Sequence, residues 1–190
     1  GGLLNEAQGG PPVMPYQPEG IWKEASFGFI DYEQGKGEDL YRRSLYTFWR
    51  RIVGPTLFFD ATPRQVCEVK AKRTNTPLHA LITLNDVTFS EAARGFAERL
   101  LTEFKGGDAM RLATAFRMAT ARDPSTTEQR TLKAALEKYR SHFANDRDAA
   151  LKVASVGESK RNDQLDSVEH ASWATIGLML LNLDETITKE

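Results

Sequence analysis

The chain has 190 residues, is 41% hydrophobic, and carries 25 Lys or Arg against 26 Asp or Glu for a net charge of −1. That length and apolar fraction suffice for one domain with a substantial core, while the lone Cys67 excludes an internal disulfide and reads as an inert, partly buried thiol. Near-neutral charge argues against nucleic acid as a partner, and the longest apolar stretch, Trp173 to Leu183, falls well short of the roughly 20 residues that span a bilayer, so no membrane insertion is expected.

The segment 1–38 contains Pro11, Pro12, Pro15 and Pro18 among many glycines, which prevents a regular element from persisting through it. Tyr16, Ile21, Trp22, Phe27 and Phe29 are nevertheless too apolar for a free linker. The segment is read as an ordered N-terminal arm whose aromatic residues pack on a helical domain covering 39–190, and burial of Trp22 is the test of that reading. Gly35-Lys36-Gly37 is the turn expected to deliver the first long helix. From Asp39 to Val53 a 3.6-residue rotation gathers Tyr41, Leu45, Phe48, Trp49 and Ile52 in one arc, which predicts an amphipathic helix ended by Gly54-Pro55.

Leu57 to Lys72 reads as a loop with a short turn at Thr62-Pro63. Pro77 suits the first turn of a short helix running through Leu84, and Asp86 is placed to cap the next. That helix, Val87 to Phe104, stacks Phe89, Ala93, Phe96, Ala97, Leu100 and Phe104 on one side and Glu91, Arg94 and Glu98 on the other. Gly106-Gly107 stops it, and Asp108 is the expected cap of a helix through Ala121. Ser125-Thr126-Thr127-Glu128 has capping-box spacing for a helix to Phe143. Asp146 to Ser155 is a shorter candidate, and Asp166 to Asn182 is the last helix, apolar nearly all round after Trp173 and therefore expected to be central. No segment alternates convincingly as a strand and no fixed-period repeat occurs. An all-α, irregular bundle of about six or seven helices with an extended arm follows.

Charge is segregated. The stretch 40–73 holds eight Lys or Arg and two acids, whereas 1–39 holds two bases and seven acids, and 158–190 three and seven. Pairing of the middle arginines with these acidic neighbours or with backbone oxygens is the first reading; anion binding is its rival. The candidate binding residues are Arg42, Arg43, Arg50, Arg73, Asn75, His79, Asn85 and Asp86, a polar set running from the Tyr41-to-Arg51 segment to the Pro77 helix, whose first backbone N–H groups would receive an anion or a carbonyl. Tyr16 and Trp22 join them as flat faces for sugar rings. There are plain structural alternatives: core packing for the aromatics, capping for Asn75 and Asp86, and a helix-surface or capping position for His79. Asp60 and Asp86 would form a glycosidase-type pair only if folding brought them together. His79, His142 and His170 lack metal-site spacing, and neither a phosphate loop nor a Gly-x-Ser-x-Gly elbow is present. No catalytic residue and no metal ligand is assigned.

Many ordered segments carry a family resemblance. They are Gly9-Gly10-Pro11, Pro15-Tyr16-Gln17-Pro18 with Trp22, Tyr41-Arg42-Arg43, Phe59-Asp60-Ala61, Cys67, Arg73 to Leu78, Leu84-Asn85-Asp86, Glu91-Ala92-Ala93-Arg94, Ala115-Phe116-Arg117, Gly157-Glu158, Trp173 and Leu181 to Glu185. Together they resemble the planctomycete-specific domain of unknown function found at the C-terminal end of planctomycete-type cytochrome c multidomain proteins. The chain departs from the family's usual residues at His79, where Gln is common, and at Thr62-Pro63.

The resemblance implies an exported, periplasmic setting and preceding domains of the parent as partners. It implies haem only for the parent, since no Cys-x-x-Cys-His occurs in this chain and no cofactor is assigned to it. Gly1 to Gly10 has neither the basic nor the apolar segment of a secretion signal, and the chain is read as the tail piece of a larger polypeptide. The function expected is a non-catalytic interaction or scaffold module of an exported cytochrome-type protein. The alternative is a carbohydrate-binding or polysaccharide-hydrolysing domain.

Overall fold

A computed structural model describes residues 1–29, 31–48 and 77–187. Among them the elements run α1 (Ile21–Ala25), two 3-10 turns (Gly37–Tyr41 and Ser44–Tyr46), α2 (Pro77–Asn85), α3 (Val87–Glu103), α4 (Asp108–Thr120), α5 (Thr126–Asn145), α6 (Arg147–Ala154), α7 (Ser167–Leu181) and α8 (Asp184–Ile187). The fold is all-α, an irregular multi-helix bundle, and the described residues form no sheet beyond two isolated bridges. The chain divides into two units, Leu3–His79 and Gly1–Gly2 with Ala80–Glu190. Helix α2 crosses the division.

In the first unit the proline-rich arm is ordered by pairing with the segment that follows it. Asn5 N–H donates to Tyr41 O at 2.8 Å, Val13 N–H to Tyr46 O at 2.8 Å, and Phe48 N–H to Val13 O at 2.8 Å, giving parallel bridges Asn5–Arg42 and Val13–Thr47. This corrects the predicted Asp39–Val53 helix in its described part. Arg42 and Thr47 are extended, at ψ 154° and 130°, because the arm takes backbone groups that a helix would have used internally; only 3-10 turns survive between them. Leu45, placed on the expected apolar arc, is instead 77% exposed.

Trp22 is buried, 4% exposed, stacked on Tyr32 at 5.2 Å and 9° and tilted against Phe48 at 5.5 Å. Tyr32 O–H donates to Pro15 O at 2.6 Å, and burial pushes its pKa up to about 12. Phe27 and Phe29, expected to pack, are 90% and 88% exposed.

In the second unit α7 lies against α3, α4, α5, α6 and α8. Its nearly all-round apolar surface demands that position, and His170, Ala171, Ser172, Trp173, Ala174, Ile176, Gly177 and Leu180 are all buried. Gly177 permits a close crossing of α3: a Cβ there would stand 3.1 Å from Ala93 O and 3.3 Å from Phe96 Cδ1. Phe96, Leu100, Leu112, Phe116, Leu132, Leu136, Trp173, Ile176 and Leu180 form the main core.

The ends of the helices are chemically specified. Asp86 caps α3 and Asp166 caps α7, and Ser125 with Glu128 forms the expected capping box on α5. Asp108 does not cap α4 as expected. It is the first helical residue after Gly107, and its carboxylate accepts from Arg140 of α5 at 3.0 Å, which holds its pKa below the ordinary carboxylate value. Arg140 also donates to Glu169 of α7 at 2.8 Å, so one guanidinium ties three helices.

Candidate functional site

Arg42, one of the polar residues singled out in the first unit, is engaged with its own chain. Arg42 donates to Ala7 O at 3.0 Å and to Gly9 O, and its guanidinium carbon lies 3.9 Å from the centre of the Tyr46 ring. Gly9 N–H donates to Tyr46 O–H at 2.9 Å. Arg42 and Tyr46 thereby clamp the glycine-rich bend of the arm, where Gly9 and Gly10 take φ of 79° and 91°, a conformation that favours glycine. Arg43 is exposed. Tyr16 is half-buried, and Trp22 is buried with Tyr32 and Phe48 against its ring.

His79 is half-buried in the first turn of α2, and Asn85 and Asp86 sit at the α2–α3 junction. Asn85 Nδ2 donates to Leu81 O at 2.7 Å, and Asp86 accepts from Thr88 N–H at 2.8 Å. Both have local capping tasks. Arg50, Arg73 and Asn75 lie outside the described residues, as do Asp60 and Cys67.

A different constellation is assembled inside the second unit. Glu91 and Arg94, predicted on the polar face of α3, are each only 1% exposed. They face the loop between α6 and α7. Arg94 Nε donates to Val156 O at 3.1 Å and its terminal nitrogen to Ser159 O at 2.8 Å and to Ser159 Oγ. Glu91 accepts from Ser159 N–H at 2.6 Å and lies 3.7 Å from Arg94. Burying this pair is tolerable because most of its polar atoms find partners in the loop.

Gly157, at φ 88°, passes so close to the Glu91 carboxylate that no Cβ fits between them. His170 Nε2 lies 3.1 Å from Arg94 O; the carbonyl only accepts, so the proton sits on Nε2 and Nδ1 faces the interior without a partner among the described residues. Burial, chiefly, holds the His170 pKa below its ordinary 6.5. The arrangement locks a loop onto a helix. It offers no nucleophile–base pair reaching an open surface, and among the described residues no group of three or more His, Cys, Asp or Glu is placed to hold a metal ion.

The family model of PSD1, described as a protein of unknown function (DUF1553), matches residues 1–136. The chain belongs to this family. The family is linked to planctomycete-type cytochrome c multidomain proteins, and no curated protein and no solved structure matches the chain. The match takes in the arm, the Arg42–Tyr46 clamp and the Glu91–Arg94 pair of this PSD1 domain, and ends before the Gly157 loop that Glu91 and Arg94 hold. No helix among the described residues is long and apolar enough to cross a membrane.

One feature of the PSD1 arm escaped sequence reasoning. Helix α1 ends in a Schellman motif: Gly28 N–H bonds Lys23 O at 2.9 Å and Phe27 N–H bonds Glu24 O at 3.4 Å. The residue in the left-handed position is Phe27, at φ 52°, where glycine is usual. A bulky side chain there is unfavourable by about 1–2 kcal/mol, and packing does not compensate, since the ring is 90% exposed. The readable signal was Phe27-Gly28 itself, with glycine one place late for an ordinary cap.

Proposed function

We propose that this PSD1 domain is a non-catalytic docking module of an exported, periplasmic cytochrome-type protein, and that its partners are the domains preceding it in that polypeptide. The observation that carries the reading is Phe27, held in a left-handed conformation with its ring 90% exposed and followed closely by Phe29 at 88%. Local strain that places a large apolar group in solvent is retained where the group serves binding. Two exposed aromatics on one short segment fit the anchor role that aromatics fill at interfaces. The engagement of Arg42, Asn85, Asp86, Glu91 and Arg94 with their own chain supports a scaffold over a catalyst.

Stability and binding move in opposite directions in the test. Phe27→Gly relieves the backbone and is expected to stabilise the arm by about 1 kcal/mol, read as slower amide exchange around α1. The same variant should weaken binding to the parent's preceding domains, measured by calorimetry, by about tenfold. Unchanged affinity in Phe27→Gly and in Phe29→Ser would refute the docking role.

A further inference from the structure

Residues 155–166 join α6 to α7, and none of them is buried. What holds this loop down is polar: Arg94 donates to Val156 O at 3.1 Å and to Ser159 O at 2.8 Å, and Ser159 N–H donates to Glu91 at 2.6 Å. Within the loop Arg161 donates to Leu165 O at 2.9 Å. A segment fixed by a few hydrogen bonds and little apolar burial opens at a lower free energy than the unit around it.

His170 sits at the joint between this loop and the core. Its ring is 0% exposed, in the first turn of α7, and Nε2–H donates to the backbone oxygen of Arg94, the residue whose guanidinium clamps the loop. The neutral imidazole suits that site. A second proton would fall on Nδ1, which is buried and has no acceptor among the described residues.

Burial disfavours the imidazolium first, and the charges that face the ring add to it: Arg94 and Arg161 oppose a positive ring, and Glu98 of α3 favours it. Both opposing cations belong to the apparatus that keeps the loop in place. Glu91 is already committed to Ser159 N–H and Arg94, and Glu169 on α7 to Arg140. Helices α4, α5 and α6 also pack on α7 but bury only apolar residues.

We infer that the 155–166 loop is an acid-released latch: a proton on His170 sets a positive ring against Arg94 and Arg161, and the loop leaves α3 while the rest of the unit stays folded. Opening admits water to the ring and uncovers Glu91 and Arg94. The sign follows from the proton count. The closed loop keeps the ring neutral and the open loop lets it titrate near its ordinary 6.5, so closure is favoured above that value and is lost as pH falls below it. From pH 7 to 5 the ratio of open to closed loop rises by up to about 25-fold. The latch is independent of the docking role, whose Phe27 and Phe29 belong to the first unit.

The test is amide exchange by NMR on the whole chain at pH 7, 6 and 5, with rates corrected for the intrinsic pH dependence of exchange. Ser159 N–H reads the loop, and the interior amides of α4 and α5 read the unit. Protection of Ser159 is expected to fall by about fivefold or more between pH 7 and 5, with α4 and α5 unchanged. His170→Gln keeps a donor for Arg94 O but takes up no proton, and its loop should stay protected at pH 5; His170→Asn is the second neutral variant should the first not fold. No fall in the wild type, a parallel fall in α4 and α5, or an equal fall in a folded neutral variant overturns the latch.

Discussion

Replacing Gly157 with alanine should destabilise the second unit far more than a surface glycine change would. Its φ of 88° alone costs an L-residue about 1–2 kcal/mol. The new Cβ would also overlap the Glu91 carboxylate, and moving that carboxylate breaks its bond from Ser159 N–H at 2.6 Å and disturbs the ion pair with Arg94 at 3.7 Å. A charge-assisted bond contributes about 1.5–3 kcal/mol. With the backbone strain, the expected loss is about 3–5 kcal/mol, or a fall of more than about 10 °C in midpoint.

Urea denaturation followed by amide exchange of α3 and α7 reads this unit by itself. The same substitution in a Glu91→Ala background should cost only the backbone contribution of about 1–2 kcal/mol, because nothing remains to be displaced. A loss below about 1 kcal/mol in the native background, or an equal loss in both, would refute the reasoning.

The second unit should also lose stability in mild acid. His170 has a folded pKa held below its ordinary 6.5 by burial, with Arg94 and Arg161 opposing its charge and Glu98 favouring it. Its contribution is therefore complete above about 6.5 and is lost as pH falls from there toward the folded value, since the unfolded chain takes up the proton first. His170→Gln, which retains a donor for Arg94 O, should flatten the dependence of urea midpoint on pH between about 6.5 and 5; an unchanged slope would contradict it. Asp166→Ala removes the acceptor for Val168 and Glu169 N–H, each at 3.0 Å. It should cost about 1 kcal/mol, measured as faster exchange in the first turn of α7.

How much was legible in advance depended on whether the governing interactions were local. Proline at the start of α2, Asp86 before α3, the Ser125–Glu128 box and Asp166 before α7 act within one turn of chain, so α2 to α7 could be placed from residue order. The all-round apolar face after Trp173 identified α7 as central because such a surface has no stable position elsewhere. Burial of Trp22 followed from an arm too aromatic to remain solvated. The family too was readable, because its segments are recognised by residue order.

Distant partners decided the rest. A 3.6-residue rotation from Asp39 onward was real, yet hydrogen bonds to Asn5 and Val13 drew Arg42 and Thr47 into extended backbone, where the rotation has no meaning. Glu91 and Arg94 looked like a solvated face because periodicity registers polarity and not the loop that returns 62 to 65 residues later to cover them. Phe27 looked like core because hydrophobicity cannot report a left-handed cap. Sequence by itself determined α2 to α7, most of their caps and the family; tertiary structure decided which polar groups are buried and which aromatics are exposed, because burial depends on what the remote chain brings against a residue.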